Sequence, residues 1–295
     1  MKIKIITSYK PGCWEQYAKK GIGSMALQFP KNLDIFVYAE EPKPFCEHDR
    51  LKWIDLNTAE PNLINFKERH KNDPVANGKL QEVSGGVRRL AELQTLGGAD
   101  KNNESFLWDA VRFSNKVFCI INAVKNSSGY DYVIWVDADT YTFRPIPDNF
   151  FIKLCPQQTM VTYLGREDQK HPDGGKFPEC GFVCYNLNHP EIKNFIQDWE
   201  NLYTSDEVFK ILEWHDSFVF WHLIKKYRSQ KNIAVHDIGY QSGVQGHHVF
   251  VNSVLGKYID HMKGTRKIAG TSNKKDLRRI AKTWNLDYWK NAPPT

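Results

Sequence analysis

Apolar residues follow two rhythms along this chain. Short apolar runs at Ile3, Ile5 and Ile6, at Leu33 to Tyr38, at Leu51 to Leu56 and at Asp131 to Val136 read as buried strands. Later strands are predicted near 159–164, 181–186 and 233–236. The second rhythm is helical. Phe106, Ala110, Phe113, Val117, Phe118 and Ile121 share one face of a helix predicted over roughly 105–125. Helices also fit 14–29, 61–70, 147–154, 190–203, 217–228 and 275–284, although Gly21 and Gly23 weaken the first. Residues 71–103 read as an irregular insertion with one helix near Val87 to Leu96, and Gly174 and Gly175 mark a loop. Strands alternating with helices predict an α/β fold with a mostly parallel central sheet flanked by helices.

Composition narrows the class. Aromatic residues make up 13% of the 295, which excludes aromatic-poor disorder. No apolar stretch reaches the roughly 20 residues of a membrane helix, so no span is expected. The first residues read as a strand, not a signal peptide. A net charge of +6 suits an anionic ligand without demanding nucleic acid. Lys263, Arg266, Lys267, Lys274, Lys275, Arg278, Arg279 and Lys282 form a basic C-terminal element, read as a solvated face or as phosphate contacts. The six cysteines form no Cys-x-x-Cys, so reduced thiols and a cytoplasmic location are expected.

Asp137 and Asp139 carry the chemistry. With 19 Asp in the chain, about one Asp-x-Asp is expected by chance, so the tripeptide alone means little. Its setting matters more. The pair follows an apolar strand, at the carboxyl edge where open α/β sheets bind ligands. Only Ala138 separates the two carboxylates, and a divalent ion between them can also bridge diphosphate oxygens.

The segment Ser128 to Thr140 (SGYDYVIWVDADT) resembles the metal-binding strand of the GT-A fold nucleotide-sugar glycosyltransferases. The preceding stretch, Trp108 to Phe118, is similar to the helix before that strand, and Arg112 and Lys116 lie four apart on one face, where they could meet the donor. Tyr258 to Lys267 resembles the His-x-x-Gly-x-x-Lys element of the glycogenin-like retaining families, with Ile268 and Ala269 where Pro-Trp usually follows. The resemblance makes His261 a metal ligand, lets Gly264 bring backbone to the phosphate, and gives Lys267 the phosphate charge. It places Gly181 against the donor sugar, Asp216 on the sugar hydroxyls, and Thr7, Ser8 and Tyr9 on the nucleoside. Glu213, Glu179 and Asp216 are the candidate bases for an inverting reaction, and Asp216 or Ser217 could equally cap a helix.

The resemblance implies one GT-A-like domain over 1–295, with a nucleotide half at 1–140 and a donor-sugar and acceptor half at 141–295. It implies a hexosyltransferase using Mn²⁺, with Mg²⁺ as the alternative, since an imidazole beside carboxylates favours Mn²⁺. The donor would be a nucleoside diphosphate sugar, a UDP-sugar first. The acceptor would be a carbohydrate or other hydroxyl compound, with retention favoured. Four other readings compete. A haloacid-dehalogenase-type phosphohydrolase wants Thr or Val where Tyr141 stands, and a sugar nucleotidyltransferase lacks its Gly-rich start, since Ser8 to Gly12 holds one Gly. A non-catalytic carbohydrate-binding protein would use the aromatics as platforms, and nucleic-acid binding rests on the late basic cluster alone.

Overall fold

The central apolar run is a strand because both of its faces are covered. In β4 (Tyr132–Val136) every residue is buried. Tyr132, Ile134 and Val136 enter one core, and Val133 and Trp135 enter another on the opposite face. The computed structural model describes residues 1–46, 48–78, 105–166, 176–239, 248–264, 266–277 and 284–294.

The other strands of the main sheet are β1 (Ile3–Ser8), β2 (Asp34–Ala39), β3 (Leu51–Asp55), β6 (Val161–Arg166), β7 (Lys176–Asn186) and β8 (His236–Asp237). Their order is β3-β2-β1-β4-β7-β6-β8. The first four run parallel, β7 is antiparallel to both neighbours, and β6 and β8 are again parallel. The expected α/β class with a mostly parallel central sheet is therefore present. A separate two-stranded ladder joins β5 (Thr140–Thr142) to β9 (Ile259–His261).

Helix α1 (Lys19–Gln28) covers one face of the sheet through Ile22, Met25 and Ala26. The other face takes α2 (Pro61–His70), α3 (Ala110–Lys125), α4 (Ile192–Thr204) and α5 (Asp216–Lys231). The predicted helix at 105–125 begins later, at Ala110. Asp109 stops it by accepting from the Arg112 N–H at 3.2 Å, and Ser105–Trp108 forms a separate tight turn.

Other differences are local. The strand expected at 181–186 starts five residues earlier, at Lys176, because β6 pairs with it through two register shifts. The strand expected at 233–236 is reduced to His236–Asp237. The start of the helix expected at 275–284 is a turn, and 278–283 lies outside the described residues. The helix expected near Val87 to Leu96 and the loop at Gly174 and Gly175 also lie outside them. No described helix is long and apolar enough to cross a membrane.

Candidate functional site

The chain leaves regular geometry where β4 ends. Thr140 closes a tight turn on Asp137, its N–H at 3.2 Å and its hydroxyl at 2.8 Å from the Asp137 carbonyl. The Asp137 N–H donates to the Gly181 carbonyl at 3.0 Å, which fastens the turn to β7. On its inner side the turn touches α1. A Cβ on Gly21 would stand 2.0 Å from the Ala138 carbonyl oxygen and 2.6 Å from that of Thr140. Of the two glycines that weaken the predicted helix, Gly21 is the one that lets it approach this turn.

The β5–β9 ladder supplies the third member. Thr140 pairs with His261, and the Met262 N–H donates to the Asp139 carbonyl at 2.9 Å. His261 Nε2 then lies 3.2 Å from Asp139 Oδ1 and 3.6 Å from Asp137 Oδ2. Gly264, with φ +64, turns the chain just beyond, and Lys267 returns to place Nζ 2.9 Å from Asp139 Oδ2. The His-x-x-Gly-x-x-Lys spacing thus brings His261 and Lys267 to the two oxygens of one carboxylate.

Charge is balanced at short range. Burial alone would raise the Asp139 pKa, but His261 and Lys267 outweigh it and hold the carboxylate ionised. Burial alone would lower the His261 pKa, and Asp139, Glu179 and Asp137 raise it. Lys116 reaches the site from α3. Its Nζ lies 2.9 Å from both Asp137 Oδ1 and Asp216 Oδ2, and donates to the Cys180 carbonyl at 2.7 Å. Trp135 Nε1 donates to Asp137 Oδ1 at 2.6 Å. Behind His261, Glu179 Oε2 accepts from Arg166 at 2.6 Å and from Lys263 at 2.9 Å.

These groups line a cleft of about 630 Å³ at the carboxyl edge of the sheet. Ser8 at the end of β1 and Tyr9 just after it reach it, with Arg112 and Lys116 from α3, and Asp137, Ala138 and Asp139 from the turn after β4. Gly181 in β7, Asp216 at the start of α5, and His261, Gly264 and Lys267 complete the predicted set. Two predicted residues stand back. Thr7 is fully buried, and Glu213 is buried against His215, its Oε2 2.9 Å from Nε2. Neither lines the cleft.

Some residues occupy different surroundings from those expected. Lys116 is bonded to two carboxylates. Tyr9 is buried with Trp14 and Trp53, at ring distances of 5.5 and 6.5 Å. Gly181 makes room for a side chain, since a Cβ there would stand 2.7 Å from His261 Cε1. Arg166 and Trp135 had no assigned site role in the sequence, and Lys263 was read only within the basic C-terminal element; the shared partner of Arg166 and Lys263, Glu179, lies on another strand.

Asp137, Asp139 and His261 offer two carboxylate oxygens and one imidazole nitrogen within 4.8 Å of one another.

No family model matches the chain, and no curated protein does. Among solved structures, mouse xyloside xylosyltransferase 1 is similar at 11% identity and TM-score 0.44, covering 80% of this chain and 84% of that one. A glycosyltransferase involved in the glycosylation of the major capsid of PBCV-1 is similar at 12% identity and TM-score 0.38, covering 92% and 97%.

Proposed function

We propose that this protein is a metal-dependent glycosyltransferase of the GT-A type. It would move a sugar from a nucleoside diphosphate sugar, a UDP-sugar first, to a hydroxyl acceptor. One observation carries the reading. Two carboxylates one residue apart and an imidazole from a distant strand converge on one point of the cleft wall, with Lys267 beside them.

A bound divalent ion, Mn²⁺ before Mg²⁺, would supply positive charge against a departing diphosphate. Asp137, Asp139 and His261 would hold it. Lys267 would turn from Asp139 to a phosphate oxygen, a short move because it already lines the cleft. Asp216 would take sugar hydroxyls while Lys116 keeps it ionised, since Lys116 and His215 offset the rise that burial imposes.

Retention is supported by how the carboxylates are engaged. Asp137 and Asp216 share Lys116, Asp139 holds Lys267, and Glu179 holds Arg166 and Lys263. Glu40, also on the cleft wall, holds Lys67 at 2.5 Å. Each is thereby already engaged by a cation rather than free to take the proton of an acceptor hydroxyl. The departing phosphate oxygen would take it.

The test is a screen of UDP-sugars, with a panel of simple glycoside acceptors, for Mn²⁺-dependent UDP release. Wild type should release UDP with at least one donor, and Asp139→Ala should not. Equal release by both proteins rejects the assignment.

A further inference from the structure

His261 is enclosed on the side away from the aspartates. The Phe250 ring centroid lies 4.9 Å from its own, and the bare Cα of Gly181 admits Cε1. His248 stands behind at 5.4 Å between ring centroids and fixes the backbone, its Nε2 donating to the His261 carbonyl at 2.7 Å. The remaining neighbour is Glu179. Its Oε1 lies 3.7 Å from His261 Nδ1, while Oε2 is held by Arg166 and Lys263. Glu179 and His261 are both almost fully buried. The ring therefore turns little without moving a carboxylate that two cations pin in place.

Glu179, His248 and His261 also present three ligand atoms within 4.8 Å, the outline of a second cation site. The charges argue against it. Arg166 and Lys263 already neutralise the single carboxylate of that group. A dication there would face two fixed positive charges with no further acid among these three residues to offset them.

We propose instead that Glu179 is the positioning residue of the Asp137–Asp139 cation site, rigidly held by Arg166 and Lys263 so that His261 keeps Nε2 between the two aspartates. This rests on the metal reading given above. A carboxylate that accepts from the far nitrogen of a ligating imidazole fixes the ring, and its removal changes metal affinity by about 10–100-fold; Glu179 Oε1, 3.7 Å from Nδ1, stands just outside hydrogen-bond distance of it. Its sequence position gave no sign of this, because Arg166, Lys263 and His261 reach it from three separate segments.

The experiment titrates Mn²⁺ alone into the full chain and reads free Mn²⁺ by electron paramagnetic resonance. Wild type should bind one ion, and Glu179→Gln should bind it about tenfold more weakly or worse. In a His261→Ala background the same change should have little further effect, because Glu179 acts through that ring. An equal loss in both backgrounds, or no loss in either, overturns the proposal. So does a second ion in wild type that disappears in His248→Ala.

Lys263→Met keeps the idea testable should Glu179→Gln fail to fold. Removing a nearby positive charge would tighten cation binding by charge alone. Loosening Glu179 should weaken it, by about threefold with Arg166 still in place. Unchanged or tighter binding contradicts the proposal. Failure of the underlying metal reading shows separately, as Mn²⁺ affinity in Asp139→Ala equal to that of wild type.

Discussion

Lys116 and Asp216 meet at 2.9 Å, and the same ammonium holds Asp137 at 2.9 Å. One partly buried cation from α3 thereby ties the turn after β4 to the first residue of α5. Burial alone would lower the Lys116 pKa, but Asp137 and Asp216 raise it, so the side chain is charged. Its role is to set the spacing of two acids. Lys116→Met should leave both without their cation and cost about 3 kcal/mol of stability. Urea unfolding measures this, and a loss under about 0.5 kcal/mol would contradict it.

Lys267 would compete with a metal ion for Asp139, since its Nζ already lies 2.9 Å from Oδ2. Lys267→Met should therefore bind Mn²⁺ as well as wild type or better. The same variant should bind UDP in the presence of Mn²⁺ about tenfold more weakly, having lost one charge-assisted contact. Calorimetric titration with each ligand in turn separates the two. Weaker Mn²⁺ binding with unchanged UDP binding would place Lys267 among the groups that hold the ion.

Gly21 is a packing requirement. An added Cβ would stand 2.0 Å from the backbone oxygen of Ala138, which cannot yield without moving the turn that carries both aspartates. Gly21→Ala should destabilise the fold by about 1–3 kcal/mol despite alanine's better helix propensity. Thermal unfolding of the variant checks this, and a raised midpoint would contradict the close approach.

Asp276 gives a pH signature away from the cleft. Burial alone would raise its pKa, but Arg266, which grips both carboxylate oxygens, and the Asn273 N–H outweigh that and lower it. A carboxyl whose folded pKa lies below its unfolded value of about 3.9 adds stability that is complete above that pH. That stability fades as pH falls through the folded value. Asp276→Asn should thus be less stable than wild type by about 1 kcal/mol at pH 7, with the gap closing as pH drops below about 4. Urea midpoints at both ends of that range test it, and a gap that widens on acidification contradicts the pairing.

The strands of the parallel core were legible because burial on both faces leaves unbroken apolar runs. The aspartate pair was legible for the same reason, since it ends such a run. The β5–β9 ladder was not. Each strand has three residues, too few to show a period, and the register that brings His261 to Thr140 is a long-range event. Resemblance rather than periodicity singled out His261. Gly21 and Gly181 were seen as glycines, but the atoms that require them, the Ala138 carbonyl and the His261 ring, lie far off in the chain. Glu179 was visible only as a candidate base, because its two cations and the imidazole behind which it sits come from other elements.

The most direct measurement is anomalous scattering from crystals grown with Mn²⁺ and UDP. The account predicts one manganese peak within bonding distance of Asp137, Asp139 and His261 Nε2, with diphosphate oxygens completing its shell and Lys267 turned toward them. A peak held by other residues, or nucleotide bound in the cleft with no metal at the aspartates, would contradict it.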